Sequence, residues 1–248
     1  MNIWGVAIPG LAMAADELPA HHGLLRLDNP EIGAGPELGA SSYDLVDVAA
    51  IHAETIEGLT KGREDPFWVI GMSMGGMIVS HLATTYRAKL PLDTRFLFIV
   101  TTANLPTNPA VPDAVMVEWA TAKPGRVDDF RRILSPFFAP NFLVDKPALA
   151  ETYFRYRALG ENKQTTKAFF RQLSALRRFD GQLTFSKADP VSALFIHAAN
   201  DQILQQSHAE DLKGLCPNVR HLVLPGLGHM ANLEQPALFD PRKTSHGW

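Results

Sequence analysis

The sequence predicts an α/β fold: a mostly parallel, open sheet of about six strands, with helices on both faces and a helical cap inserted late in the sheet. Three observations lead there. An apolar, β-branched run, Phe67-Trp68-Val69-Ile70, passes through Gly71-Met72-Ser73-Met74-Gly75-Gly76 into the apolar stretch Met77-Ile78-Val79-Ser80-His81-Leu82-Ala83, which reads as strand, tight turn and buried helix. Two later strand-like runs, Val191-Ser192-Ala193-Leu194-Phe195-Ile196-His197 and Val219-Arg220-His221-Leu222-Val223-Leu224, each end just before polar residues, Asn200-Asp201 and Gly228-His229. Strands that alternate with helical patterns in this way build a parallel sheet.

The elements follow in order. Ile3-Trp4-Gly5-Val6-Ala7-Ile8 is the first strand and Leu24-Leu25-Arg26-Leu27 the second, followed by a loop rich in glycine and proline through Gly39. Residues 44–58 read as a helix, with Leu45, Val48, Ala49, Ile56 and Leu59 on one face near period 3.6 and Ser41 or Ser42 as its cap. The serine turn comes next, then a fourth strand, Arg95-Phe96-Leu97-Phe98-Ile99-Val100. Residues 105–189 are too long for an ordinary connection, which runs about 2–6 residues in α/β units. Four amphipathic pieces fall within this segment, at 111–123, 127–138, 147–159 and 164–179. The fifth and sixth strands follow, then a short helix over 233–239 that stops at Asp240-Pro241, and a polar tail to Trp248. The expected organisation is a core of 1–104 and 190–248 carrying a cap of 105–189.

Ser73 lies in a G-x-S-x-G turn between a strand and a helix. Such a turn lets a hydroxyl project at strained dihedrals, and glycines two residues away on either side remove collisions with the neighbouring elements. Asp201 and His229 each sit just past the C-terminal end of a strand, the edge at which open parallel sheets bind ligands. Along the chain the three run in the order serine, acid, histidine. Taken singly, Asp201 also suits a helix N-cap and His229 a backbone-satisfied loop histidine. Asp189 precedes its strand and falls at the opposite edge, and His197 lies within its strand, four residues before Asp201.

With the elbow, the Asn-Asp after a strand and Pro225-Gly226-Leu227-Gly228-His229 in view, the chain resembles the α/β-hydrolase superfamily of serine esterases, lipases and acyl-transfer enzymes. The resemblance implies a serine mechanism, with Ser73 as nucleophile, His229 as general base and Asp201 holding the imidazole. It implies an oxyanion hole made of the backbone N–H groups of Met74 and of Leu11, with Gly10 letting the loop after the first strand pass close to substrate. Pro9 departs from the His-Gly usual in the superfamily at that loop. It also places a lid over the serine, for which Phe137, Phe138 and Phe142 are the substrate-lining candidates, with Met72, Met74 and Met77 near the floor.

Composition narrows the classes. The chain has 248 residues and is 46% hydrophobic, enough for one large core. No run approaches the roughly 18 apolar residues of a spanning helix, and no secretory leader is visible at the start, so the expectation is a cytoplasmic enzyme without membrane association. The single cysteine, Cys216, fits a reducing compartment. No metal-ligand spacing and no phosphate-binding loop occurs, so neither metal nor cofactor is expected. Residues 105–188 carry 13 Lys and Arg against 8 Asp and Glu, whereas the whole chain has a net charge of −3. Solvated helix faces account for that surplus. A basic lid also suits an acidic partner, and the chain resembles the carrier-protein methyl esterases of biotin synthesis, whose substrate rides on an acidic carrier. Nucleic acid is disfavoured by the negative total. The expected substrate is a small or medium carboxylic ester. An acyltransferase or thioesterase using the same triad, and a non-catalytic receptor on the same scaffold, are the alternatives.

Overall fold

The computed structural model describes residues 4–7, 23–32, 35–39, 42–62, 67–110, 118, 125–159, 165–181 and 192–239. Strands β1 (Trp4–Ala7), β2 (Gly23–Arg26), β3 (Phe67–Met72), β4 (Thr94–Ile99), β5 (Ser192–Ala198) and β6 (Arg220–Leu224) join in one sheet, in the order β2-β1-β3-β4-β5-β6. Every neighbouring pair is parallel. The order reverses between β1 and β3, and such a switch point, at the C-terminal ends of the strands, is where open parallel sheets bind ligands. Ser73 follows β3 directly, so the serine sits at that switch point.

Side-chain alternation along the central strands divides the core between the two faces. Val69 of β3, Phe96 and Phe98 of β4, and Phe195 of β5 point to one face. There they meet Leu45, Val48 and Ile56 of α1 (Leu45–Thr60), Ile78 and Leu82 of α2 (Met74–Thr84), and Leu212 near the end of a later helix. The rings of Phe98 and Phe195 stack with centroids 4.5 Å apart. A fully buried phenylalanine of this kind contributes up to about 3 kcal/mol of transfer free energy. Met72, Ile99, Leu194, Ile196 and Leu224 point to the other face, with Met230 and Leu233 from the C-terminal segment.

Helix α1 starts at Asp44 rather than at the serines expected to cap it. The Asp47 side chain accepts a hydrogen bond from the Asp44 backbone N–H at 2.8 Å, satisfying an end that the helix itself cannot. Its buried stripe is completed by His52 and Ala53, and Leu59, expected on that stripe, is exposed.

Within 105–189 the described helices are α3 (Val127–Leu134), α4 (Pro140–Asp145), α5 (Pro147–Leu159) and α6 (Thr166–Arg177). The piece expected as one helix over 127–138 ends at Leu134 and continues as a 3-10 turn, Ser135–Phe137. Pro136 explains the break, because its ring cannot continue the α-helical hydrogen-bond ladder. The piece expected at 111–123 lies outside the described residues apart from Glu118. Helices α4 and α5 send Phe142, Ala150 and Phe154 into the cluster that also holds Met72, Leu224 and Met230. Helix α6 behaves differently: Ala175 and Phe179 join the opposite cluster with α1 and α2. Leu105 N–H to Phe179 C=O (3.1 Å) and Gly181 N–H to Ala103 C=O (3.0 Å) close this segment back on the chain leaving β4.

Helix α7 (Gln206–Leu215) precedes β6, and α8 (Ala231–Glu234) follows it. The final helix expected over 233–239 is in fact this four-residue turn and a 3-10 turn, Pro236–Phe239. Pro236 lacks the N–H that would join them and restricts Gln235 before it. Among the described residues no helix is long and apolar enough to cross a membrane.

Candidate active site

Ser73 has φ 53° and ψ −121°, a positive φ that a non-glycine residue adopts only under constraint. The constraints are local. Ser73 N–H donates to the Ile99 carbonyl at 2.9 Å, and the Ser73 carbonyl accepts from Gly76 N–H (2.9 Å), Met77 N–H (3.2 Å) and the Thr101 hydroxyl (2.9 Å). A Cβ on Gly71 would lie 2.4 Å from the Gly75 carbonyl oxygen and 2.6 Å from Val79 Cγ2, so strand and helix approach too closely for any side chain there. A Cβ on Gly76 would lie 2.6 Å from Thr101 Oγ1, the group that holds the serine carbonyl. The second glycine of the Gly75-Gly76 pair therefore makes room for a tether to the neighbouring strand, a role that the sequence did not reveal. Met74 opens α2, so its N–H is one of the first-turn donors a helix leaves unpaired. Leu11 and Gly10 lie outside the described residues.

Asp201 and His229 meet. His229 Nδ1 lies 2.7 Å from Asp201 Oδ2, both side chains being 2% exposed. A carboxylate only accepts, so Nδ1 carries the proton and Nε2 is left as the acceptor. The other oxygen, Asp201 Oδ1, accepts from Ile203 N–H (2.8 Å) and Leu204 N–H (2.9 Å). Asp201 does not cap the helix that follows, whose N-cap is Gln205; its Oδ1 closes the turn at Ile203 and Leu204 instead. Their loops are tied by main chain, with Ala199 N–H to Leu224 C=O (3.0 Å) and Asn200 N–H to Leu227 C=O (2.9 Å). Ser73, Asp201 and His229 all follow C-terminal ends of parallel strands and so share one edge. No hydrogen bond joins the Ser73 hydroxyl to His229 among the described contacts, and such bonds commonly close only once substrate is bound.

The three phenylalanines separate. Phe138 and Phe142 are buried in the core, stacked with centroids 5.3 Å apart, and Phe154 meets Phe138 edge-on at 5.9 Å. They pack in one buried cluster with Met72, Ile99 and Leu224. Phe137 is half-buried, and its ring stands at 67° to the His229 imidazole with centroids 5.4 Å apart. Met72 and Met77 are buried on opposite faces of the sheet, and Met74 is partly buried.

Other histidines near the edge are structural neutral groups. His197 Nε2 lies 3.0 Å from His221 Nδ1, whose Nε2 reaches the Cys216 carbonyl at 3.2 Å. Burial, then the neighbouring His221, lowers the pKa of His197 to about 4. His208, fully buried, bonds the Thr102 hydroxyl at 2.8 Å, and burial lowers its pKa as well. Asp189 lies outside the described residues. No cluster of three or more His, Cys, Asp or Glu suited to a metal ion occurs among the described residues.

Glu234 is a residue that sequence reasoning missed. Its carboxylate accepts from Gly228 N–H (3.1 Å to each oxygen) and from Ala139 N–H (3.0 Å), linking the histidine loop to the start of α4. A charged residue closing the apolar turn Ala231-Asn232-Leu233 was the available signal. Burial raises its pKa above the ordinary glutamate value.

Known proteins share this architecture. An enol-lactonase from Burkholderia xenovorans superposes with a TM-score of 0.74 at 18% identity, covering 98% of this chain and 90% of that one. A hydrolase from Pseudomonas aeruginosa gives 0.72 at 22% identity, covering 99% and 90%. An esterase from Thermogutta terrifontis gives 0.72 at 18% identity, covering 99% and 89%. No curated protein matches the chain by sequence. A family model described as the alpha/beta hydrolase family matches residues 3–241, nearly the whole length, and the chain belongs to that family.

Proposed function

We propose that this protein is a serine hydrolase that cleaves small or medium carboxylic esters, cyclic esters included, through an acyl-enzyme. The observation that carries the reading is the buried Asp201–His229 pair on the same sheet edge as a serine held at positive φ. Ser73 Oγ attacks the ester carbonyl as His229 Nε2 takes its proton. Asp201 keeps the imidazole in the tautomer that can accept and stabilises the imidazolium that forms. The Met74 N–H and a second donor from the loop after β1, for which Leu11 is our candidate, receive the oxyanion, an interaction commonly worth about 3 kcal/mol for each donor. The alcohol leaves with the proton from His229, and water, deprotonated by the same imidazole, releases the acid. Structural neighbours described as esterase and enol-lactonase break acyl–oxygen bonds of this kind, which supports the substrate class.

We assign the lid to α3–α5, which share a cluster with the sheet's C-terminal segment, and take Phe137 as the candidate to meet substrate, a reading supported by its ring contact with His229. Nothing on the described cap surface favours an acidic carrier over a small ester. A panel of chromogenic esters varied in acyl length and leaving group tests the reading on wild type and Ser73→Ala. The expected result is hydrolysis by wild type and a loss of at least about 10³-fold in kcat in the variant. Activity near wild type in Ser73→Ala contradicts it.

A further inference from the structure

His229 sits on a six-residue connection between β6 and α8. A general base on a loop needs something to fix it to within a fraction of an ångström. Asp201 holds one side of the imidazole, and the main chain on either side of His229 is held by hydrogen bonds of its own. Before it, Gly228 N–H donates to both oxygens of Glu234 at 3.1 Å. After it, Met230 N–H donates to the Phe137 carbonyl at 2.8 Å. Glu234 Oε1 also accepts from Ala139 N–H at 3.0 Å, so one carboxylate grips the histidine loop and the cap together. The fit is close: a Cβ on Gly228 would lie 2.4 Å from Ala139 N and 2.8 Å from Glu234 Oε1. Between the two anchor points lies Phe137, edge-on to the imidazole at 5.4 Å.

We infer that Glu234 is a positioning residue of the proposed site, a clamp that registers the Phe137–Ala139 segment of the cap against the His229 loop and so sets the imidazole and the aromatic ring beside it in one step. This rests on the serine-hydrolase reading. The clamp acts through hydrogen bonds to two main-chain donors, neither of which has another acceptor in the described contacts. It also acts through charge. Asp201 and His229 are the titratable groups close enough to feel the Glu234 carboxylate, and a negative charge there favours the imidazolium formed during turnover.

The test compares Glu234→Ala and Glu234→Gln with wild type on one small chromogenic ester, alongside the low-field proton resonance of the His229–Asp201 hydrogen bond. Glu234→Ala removes the whole clamp. We expect kcat to fall about 10²-fold with a smaller change in KM, as for a misplaced catalytic group. Glu234→Gln keeps one oxygen acceptor and turns an N–H toward Gly228, so a loss of about 10-fold is expected. In both, the acid limb of kcat/KM moves to lower pH because the favourable negative charge is gone, and in Glu234→Ala the low-field resonance broadens. A folded Glu234→Ala with unchanged kcat, unchanged acid limb and an intact resonance, differing only in melting temperature, overturns the inference. If Glu234→Ala does not fold, Glu234→Gln decides on the same three readouts. Should Ser73→Ala prove active, the serine mechanism fails separately, while the resonance in the Glu234 variants still reports whether the clamp positions His229.

Discussion

The loops on the sheet's C-terminal edge and the outer surfaces of α3–α5 above them are held by different interactions. At the edge, polar groups are buried and each is met by a specific partner. Asp201 accepts three hydrogen bonds, the Ser73 carbonyl accepts from Thr101, and His208 bonds Thr102. On the outer surfaces of α3–α5 the polar contacts are exposed ion pairs. Arg131 reaches Glu151 at 2.8 Å and also Asp128, Arg155 reaches the same Glu151 at 3.0 Å, and Arg132 pairs with Glu118. Buried hydrogen bonds are costly to break because the abandoned partner has no water to turn to, whereas exposed ion pairs trade readily with solvent. Substitutions at the edge should therefore cost far more than those on the cap surface.

Among single substitutions, the largest effect on stability is expected at Gly71. The added methyl of Gly71→Ala meets the Gly75 main chain, which cannot swing aside, so a loss of at least about 2 kcal/mol in unfolding free energy is expected by chemical denaturation. Gly58→Ala in α1 is the control. Nothing lies within 4 Å of its added Cβ, and the change should stabilise by up to about 1 kcal/mol. If the two variants shift stability alike, the close approach of β3 and α2 is not what constrains the elbow.

Acid should come next. Burial lowers the pKa of His52, which bonds Asn29 at 3.2 Å, and that of His197, each to about 4 from an ordinary 6.5. Between those values the unfolded chain binds protons that the folded one refuses. Stability is therefore full above about pH 6.5 and falls as pH drops toward 4, by as much as about 3 kcal/mol for each histidine. Denaturant midpoints measured across that range should fall steadily, and His52→Gln should flatten part of the slope. A midpoint independent of pH across this window would mean that these rings are already solvated.

The smallest effect is expected at Glu151, which bridges Arg131 and Arg155 on an exposed face. Glu151→Gln should leave the melting temperature within error of wild type at physiological salt. A clear drop would show the ion-pair network to be a genuine brace for the lid.

The same contrast explains what could be read from the sequence. The positions of Ser73, Asp201 and His229 at one edge were legible because a parallel sheet delivers the ends of β3, β5 and β6 there, and the turn at Ser73 because strand and helix approach too closely for a side chain at Gly71. The strands were legible because Phe96, Phe98, Phe195 and their neighbours must be apolar on both faces. The arginines of 105–189 suggested a surface for an acidic partner, yet composition does not reveal that Arg126, Arg131, Arg132 and Arg155 pair with carboxylates of the same segment, or that Arg171 and Arg178 reach Glu31 and Asp44. Pairing across 140 residues, as between Arg171 and Glu31, leaves no local pattern. The same is true of Glu234, whose partners are main-chain groups that any residue supplies. That Phe138 and Phe142 pack in a core was not legible, because an aromatic at helical spacing looks the same whether it lines a pocket or fills a core.

A fluorophosphonate inhibitor tests the central claim most directly, since it captures only a serine whose hydroxyl is activated. Intact mass followed by peptide mapping should show one adduct per chain, on Ser73, with ester hydrolysis lost in step with labelling and no adduct in His229→Ala. Sustained ester hydrolysis with Ser73 unmodified, under conditions that label a known serine esterase, would contradict the account.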